Sequence, residues 1–158
     1  MFNIGDKIVY PIHGAGVIEA IEEKEILGVR RKYYIMRMPL DEMKVMIPLD
    51  TIEGIGIRQV IGADEVEGVF AVLEANETKM PQNWNRRYRA NMDRLKTGDI
   101  FEVAEVVRNL TLRDREKTLS TGEKKILSNA RQILLSELIL ATELSDAEIM
   151  EKVEELIK

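Results

Sequence analysis

Up to about residue 60 the apolar positions come in short β-rich or alternating runs, and beyond Ile61 they recur every three or four residues. That change of period, from two to 3.6, predicts a strand-built unit followed by a helical one. Lys7-Ile8-Val9-Tyr10 follows the turn Gly5-Asp6, and Val17-Ile18-Glu19-Ala20-Ile21-Glu22 follows Gly14-Ala15-Gly16. Residues 32–38 and 44–47 read as further strands, with Leu27-Gly28 and Pro39-Leu40-Asp41-Glu42 as the turns between them. Four or five short strands are too few for a large sandwich. They predict a small SH3-like or Tudor-like β-barrel over residues 1–61, an architecture suited to docking. Gly14-Ala15-Gly16 is not followed by the Lys-Ser or Lys-Thr of a phosphate loop, so it is expected to form a tight barrel corner, with His13 as a turn residue.

Residues 62–158 predict a bundle of about five helices, making the chain α+β overall. Asp64 is expected to cap a helix with Val66, Val69, Phe70 and Leu73 on one face. Gly98 ends the helix containing residues 84–95, and Asp99 caps the next, whose stripe is Ile100, Val103, Ala104, Val107 and Leu110. Two capping boxes, Ser120-Thr-Gly-Glu123 and Ser145-Asp-Ala-Glu148, start the last two helices.

The second of these helices opens on Pro81-Gln82-Asn83-Trp84-Asn85-Arg86-Arg87-Tyr88-Arg89, which holds the sole tryptophan and three arginines. Asn83 is a good N-cap, which puts Trp84 at the first helical position, where its side chain leans past the helix end. Two readings stand. Trp84, Tyr88, Asn91 or Met92, and Leu95 are spaced as a buried stripe. Alternatively the indole is a wedge ringed by cations, the arrangement of a minor-groove binder.

Charge supports the second reading. The net charge of −5 is spread unevenly: residues 1–68 carry 8 basic and 12 acidic side chains, 69–135 carry 13 and 9, and 136–158 carry 2 and 7. The basic middle block contains Trp84, and the local field, not the sum, governs the approach of a phosphate. Arg113-Asp114-Arg115-Glu116-Lys117 alternates in sign as exposed helix ends do, whereas Lys124 and Lys125, in a first helical turn, are candidates for backbone contacts. One histidine, no cysteine and scattered carboxylates provide neither a nucleophile with its base nor a metal cluster. An enzyme, a cofactor and a small-molecule substrate are therefore not expected. The lack of cysteine, of an export signal and of a long apolar run suits a cytoplasmic protein away from the membrane.

The chain resembles the CarD/CdnL family of bacterial transcription regulators over essentially its full length. The resemblance rests on Gly5-Asp6-Lys7-Ile8-Val9-Tyr10-Pro11 with His13-Gly14-Ala15-Gly16, on Asn83 to Asn91, on Val103 to Leu110, on Leu119 to Lys125, and on Ala130-Arg131-Gln132-Ile133-Leu134. It implies that the barrel docks on the RNA polymerase β subunit while the helical domain touches promoter DNA at the upstream edge of the bubble, stabilising the open complex. Trp84 would be the wedge, with Arg86 and Arg89 on the DNA backbone; Arg87, Lys124 and Lys125 complete the candidate DNA set. The family's basic polymerase contacts fall on Lys24, which keeps its charge, and Met46, which does not; Lys44 is on the same strand as Met46. The rival reading is a protein-protein adaptor in which barrel and bundle each bind a polypeptide and Trp84 is a hot spot.

Overall fold

The computed structural model describes residues 2–40 and 42–158, apart from the side chains of 51 and 53; Asp41, in the second expected turn, lies outside the described residues. Five strands, β1 (Lys7–Tyr10), β2 (Gly14–Ile26), β3 (Val29–Arg37), β4 (Lys44–Pro48) and β5 (Arg58–Gln59), pair antiparallel in the order β4-β3-β2-β1-β5. Their inner residues Ile8, Ile18, Tyr34, Met36 and Ile47, with Met38 just past β3, form the core of this small unit.

β2 and β3 are longer than the apolar pattern predicts. Beyond Ile21 the side chains are exposed, and pairing continues through the oppositely charged cross-strand pairs Glu23↔Lys32 and Glu25↔Arg30. The hairpin closes through Leu27 (φ 54°) and Gly28 (φ 80°), two positive φ values in succession, as a type I′ turn requires. The expected barrel corner at Gly14-Ala15-Gly16 is corrected: these residues lie inside β2, opposite Tyr10, Val9 and Ile8, and the chain reverses at Pro11–His13 instead. The two glycines answer to packing. A Cβ at Gly14 would stand 2.7 Å from Ser136 Oγ, and one at Gly16 would stand 2.7 Å from the Arg37 carbonyl.

After the short α1 (Ile52–Ile55) come α2 (Ala63–Glu74), α3 (Trp84–Lys96), α4 (Ile100–Glu116), α5 (Thr121–Thr142) and α6 (Asp146–Leu156). The cap of α2 is Gly62 and not Asp64, whose carboxylate sits instead in the first turn, where the positive helix end favours it. Asp99 caps α4 as expected, accepting from the Phe101 N–H. α5 is the central element, because six consecutive residues, Ile133 to Leu138, are buried. Its apolar positions pack with Val69, Leu73, Val103, Val107, Leu110, Ile149 and Val153 of the surrounding helices. No helix among the described residues is long and apolar enough to cross a membrane.

α5 also joins bundle to sheet. Ser136 Oγ accepts from the Ala15 N–H at 2.8 Å and donates to the Ile133 carbonyl. Glu137, fully buried, receives both arms of Arg58 at 2.7 Å and the Ile61 N–H at 3.0 Å. A buried carboxylate is tolerated only when its oxygens are satisfied in this way.

Candidate nucleic-acid interface

The segment preceding α3 is held in place from α4. Asn109 donates to Thr78 Oγ1 at 2.7 Å and accepts from the Thr78 N–H, while the buried Arg108 donates to the Val72 carbonyl and to Thr78. α3 then begins as its sequence dictates. Asn83 is the N-cap, its side chain accepting from the Arg86 N–H at 3.1 Å, and Trp84 is the first helical residue.

Trp84 is not a core residue: 43% of it is exposed, although Leu95, at the other end of the same helical spacing, is buried. Its ring stacks on Tyr88 with centroids 5.3 Å apart and planes 27° apart. Its Nε1–H donates to Ser120 Oγ at 2.8 Å, bringing the starts of α3 and α5 together. Both rings lie over Gly122, where a Cβ would meet Trp84 Cζ2 and Tyr88 Cε2 at 3.4 Å.

The candidate cations separate into two groups. Arg86, Arg89, Lys124 and Lys125 are exposed, and among the described residues none has a carboxylate within ion-pair distance. Arg87 is a correction. It is 4% exposed, its Nε and Nη2 bind the Glu123 carboxylate at 2.6 and 3.0 Å, and its Nη1 donates to the carbonyls of Pro81 and Gln82. With four of its five N–H donors engaged and the group buried, this guanidinium is closed to a phosphate, so Arg87 is a structural residue of this site. Its helix neighbour Arg94 is likewise engaged, with Glu105 at 2.6 Å. Bonding to Arg87 holds the Glu123 carboxyl below its ordinary value, outweighing the opposing effect of burial, and Ser120 and Arg113 assist. The same pairing raises Arg87.

The site therefore offers a half-exposed aromatic plate held by Tyr88, Ser120 and Gly122, with four unpaired cations in the first two turns of the same two helices, at a corner where their N-termini converge. Such a surface suits stacking against a base and neutralising phosphates. Sequence reasoning missed Tyr88, Ser120 and Gly122 as its supports. In the sequence Tyr88 fits the apolar stripe, and an N-cap role alone explains a serine at 120.

The two residues singled out on the sheet lie apart from this corner. Lys24 pairs across from Arg31, and Met46 across from Ile35 on the same strand, so the two share one sheet face about 13 Å apart along β3. Lys24 is half exposed, with Glu22 at 3.4 Å; Met46 is partly buried; Lys44 is paired with Glu19 at 3.4 Å. His13 is a turn residue, its ring 4.5 Å from that of Tyr10.

Comparison with known proteins agrees with this arrangement of parts. Residues 2–61 match the family described as CarD-like/TRCF RID domain, and residues 68–154 match CarD, C-terminal domain. YdeB of Bacillus subtilis (strain 168), described as a candidate transcription factor, is 44% identical over 149 residues, covering 94% of this chain and 97% of that protein. The solution structure of the 72-residue N-terminal domain of Myxococcus xanthus CarD is 34% identical over 37% of this chain and 79% of that domain, with a TM-score of 0.33. With both of its parts matched in order and a relative of this identity aligned over nearly the whole length, the chain belongs to the CarD/CdnL family of transcription factors.

Proposed function

We propose that this transcription factor docks on the RNA polymerase β subunit through residues 1–61 and stabilises the open promoter complex through residues 62–158, with Trp84 as a minor-groove wedge at the upstream edge of the bubble. The observation that carries this reading is the exposure of Trp84, held by Ser120 and Tyr88, on the same opening helical turns that present the exposed Arg86, Arg89, Lys124 and Lys125. Four cations give weak, sequence-independent, salt-sensitive binding, and docking on polymerase raises the effective DNA concentration into the millimolar range. Polymerase has already chosen the promoter, so the wedge needs no base code. Lys24 and Met46, on one face of the sheet, are the proposed polymerase contacts, Met46 adding apolar area where Lys24 adds charge. The protein works in the cytoplasm, on the nucleoid by way of polymerase.

A photocrosslinker at position 84 or 86, in the polymerase-promoter complex, tests this directly. Crosslinks to the DNA strands at the upstream bubble edge are expected. Crosslinks to protein alone, with the factor still on polymerase, would establish the adaptor reading instead. On the same reading Trp84→Ala, which removes a half-exposed ring, costs about 1–2 kcal/mol of stability, below the about 3–5 kcal/mol of a buried aromatic. Open-complex lifetime should nonetheless shorten about 5- to 150-fold, the equivalent of one lost base-aromatic stack, while polymerase affinity holds.

A further inference from the structure

We infer that Ser120 is a positioning residue for the Trp84 ring, itself held by the buried Arg87–Glu123 pair; the functional side of this inference rests on the wedge reading of Trp84. α3 and α5 are joined by two rungs one helical turn apart. Trp84 meets Ser120, and three residues further along both helices Arg87 meets Glu123. The hydroxyl of Ser120 uses its whole bonding capacity here. Its hydrogen goes to Glu123 Oε1 at 3.1 Å, and its oxygen accepts from the Glu123 N–H at 3.3 Å and from the indole N–H at 2.8 Å. Because Glu123 takes the hydrogen, the serine oxygen is committed as an acceptor towards the indole. Glu123 is in turn fixed by two bonds from Arg87, with both residues almost wholly buried. The chain of contacts thus runs from the interior out to the exposed ring.

The other contacts of the indole constrain it differently. Tyr88 stacks on it and Gly122 lies beneath it, and both contacts permit sliding within the ring plane. The bond to Ser120 is directional and fixes that remaining freedom. It is open to solvent, so it adds little to folding stability. Its effect is on where the ring points, and a wedge held in its bound orientation loses less conformational entropy on insertion.

The sole tryptophan makes the inference measurable in the intact protein, because indole resonance and emission report on Trp84 alone. Ser120→Gly removes the acceptor while keeping most of the N-cap, so the melting temperature should fall by no more than about 2 °C. Ser120→Thr restores the hydroxyl. In Ser120→Gly the indole N–H should exchange faster with solvent and the emission anisotropy should fall, with Ser120→Thr returning both towards the original values. On polymerase, open-complex lifetime should shorten about 2- to 10-fold in the glycine variant and recover in the threonine variant. Unaltered indole exchange and anisotropy in Ser120→Gly would overturn the positioning role. So would a freed ring with an undiminished lifetime, provided Trp84→Ala shortens that lifetime. A freed ring with neither Ser120→Gly nor Trp84→Ala altering the lifetime would uphold ring positioning and overturn the wedge reading.

Discussion

At the scale of single residues, two adjacent arginines of one helix turn have opposite fates. Arg86 faces solvent, whereas Arg87 is enclosed with Glu123. Arg87→Ala leaves a buried carboxylate without its partner and should cost about 3–5 kcal/mol in a denaturant titration. Arg89→Ala should stay within about 0.5 kcal/mol of the parent and, on the proposed function, should lower the salt dependence of DNA binding by about one phosphate contact. The pair also makes stability depend on pH. Folding lowers the Glu123 carboxyl from its ordinary 4.5, so the folded state binds its proton less readily than the unfolded chain does. Its contribution is complete above about pH 4.5 and is lost as pH falls through the depressed folded value. Denaturation of the parent and of Glu123→Gln from about pH 6 down to about pH 3 should show a stability gap that closes only at the acid end.

At the scale of elements, identical local signals lead to different structures. Ser145 and Glu148 form a complete reciprocal capping box at the start of α6. At the start of α5, Ser120 accepts from the Glu123 N–H, but the Glu123 side chain turns to Arg87 and to the serine hydroxyl, not to the Ser120 backbone. A buried guanidinium outcompetes a solvent-accessible N–H for that carboxylate. In the β2–β3 hairpin the mismatch is one of conformation. Leu27 is 99% exposed and left-handed, at a position where asparagine sits more easily. Leu27→Asn loses no buried area and relieves that strain, so it should stabilise the hairpin by about 0.5–1 kcal/mol, seen as slower amide exchange across β2 and β3.

At the scale of the whole molecule, the decisive contact is the seat of the sheet on α5. Arg58→Ala removes two of the three bonds to the fully buried Glu137 and should cost about 3 kcal/mol, the low end for a broken buried pair because solvent still reaches Arg58. Thermal unfolding should then resolve into two steps, with faster proteolysis between β5 and α2. The sequence alone determined the division into strands and helices, because period two and period 3.6 are local properties of the chain. It determined the starts of α3, α4, α5 and α6 as well, because a cap acts within three residues of its own position. It also singled out Trp84 and most of the cations around it. Tertiary structure decided which arginines remain available, since Arg86, Arg87 and Arg89 look alike until a partner 36 residues away claims one of them. It likewise made a joint of Ser136 and Glu137, which in the sequence merely interrupt an apolar run. Desolvation of a polar side chain is set by what packs over it, and here the cover comes from strands more than 75 residues away in the chain.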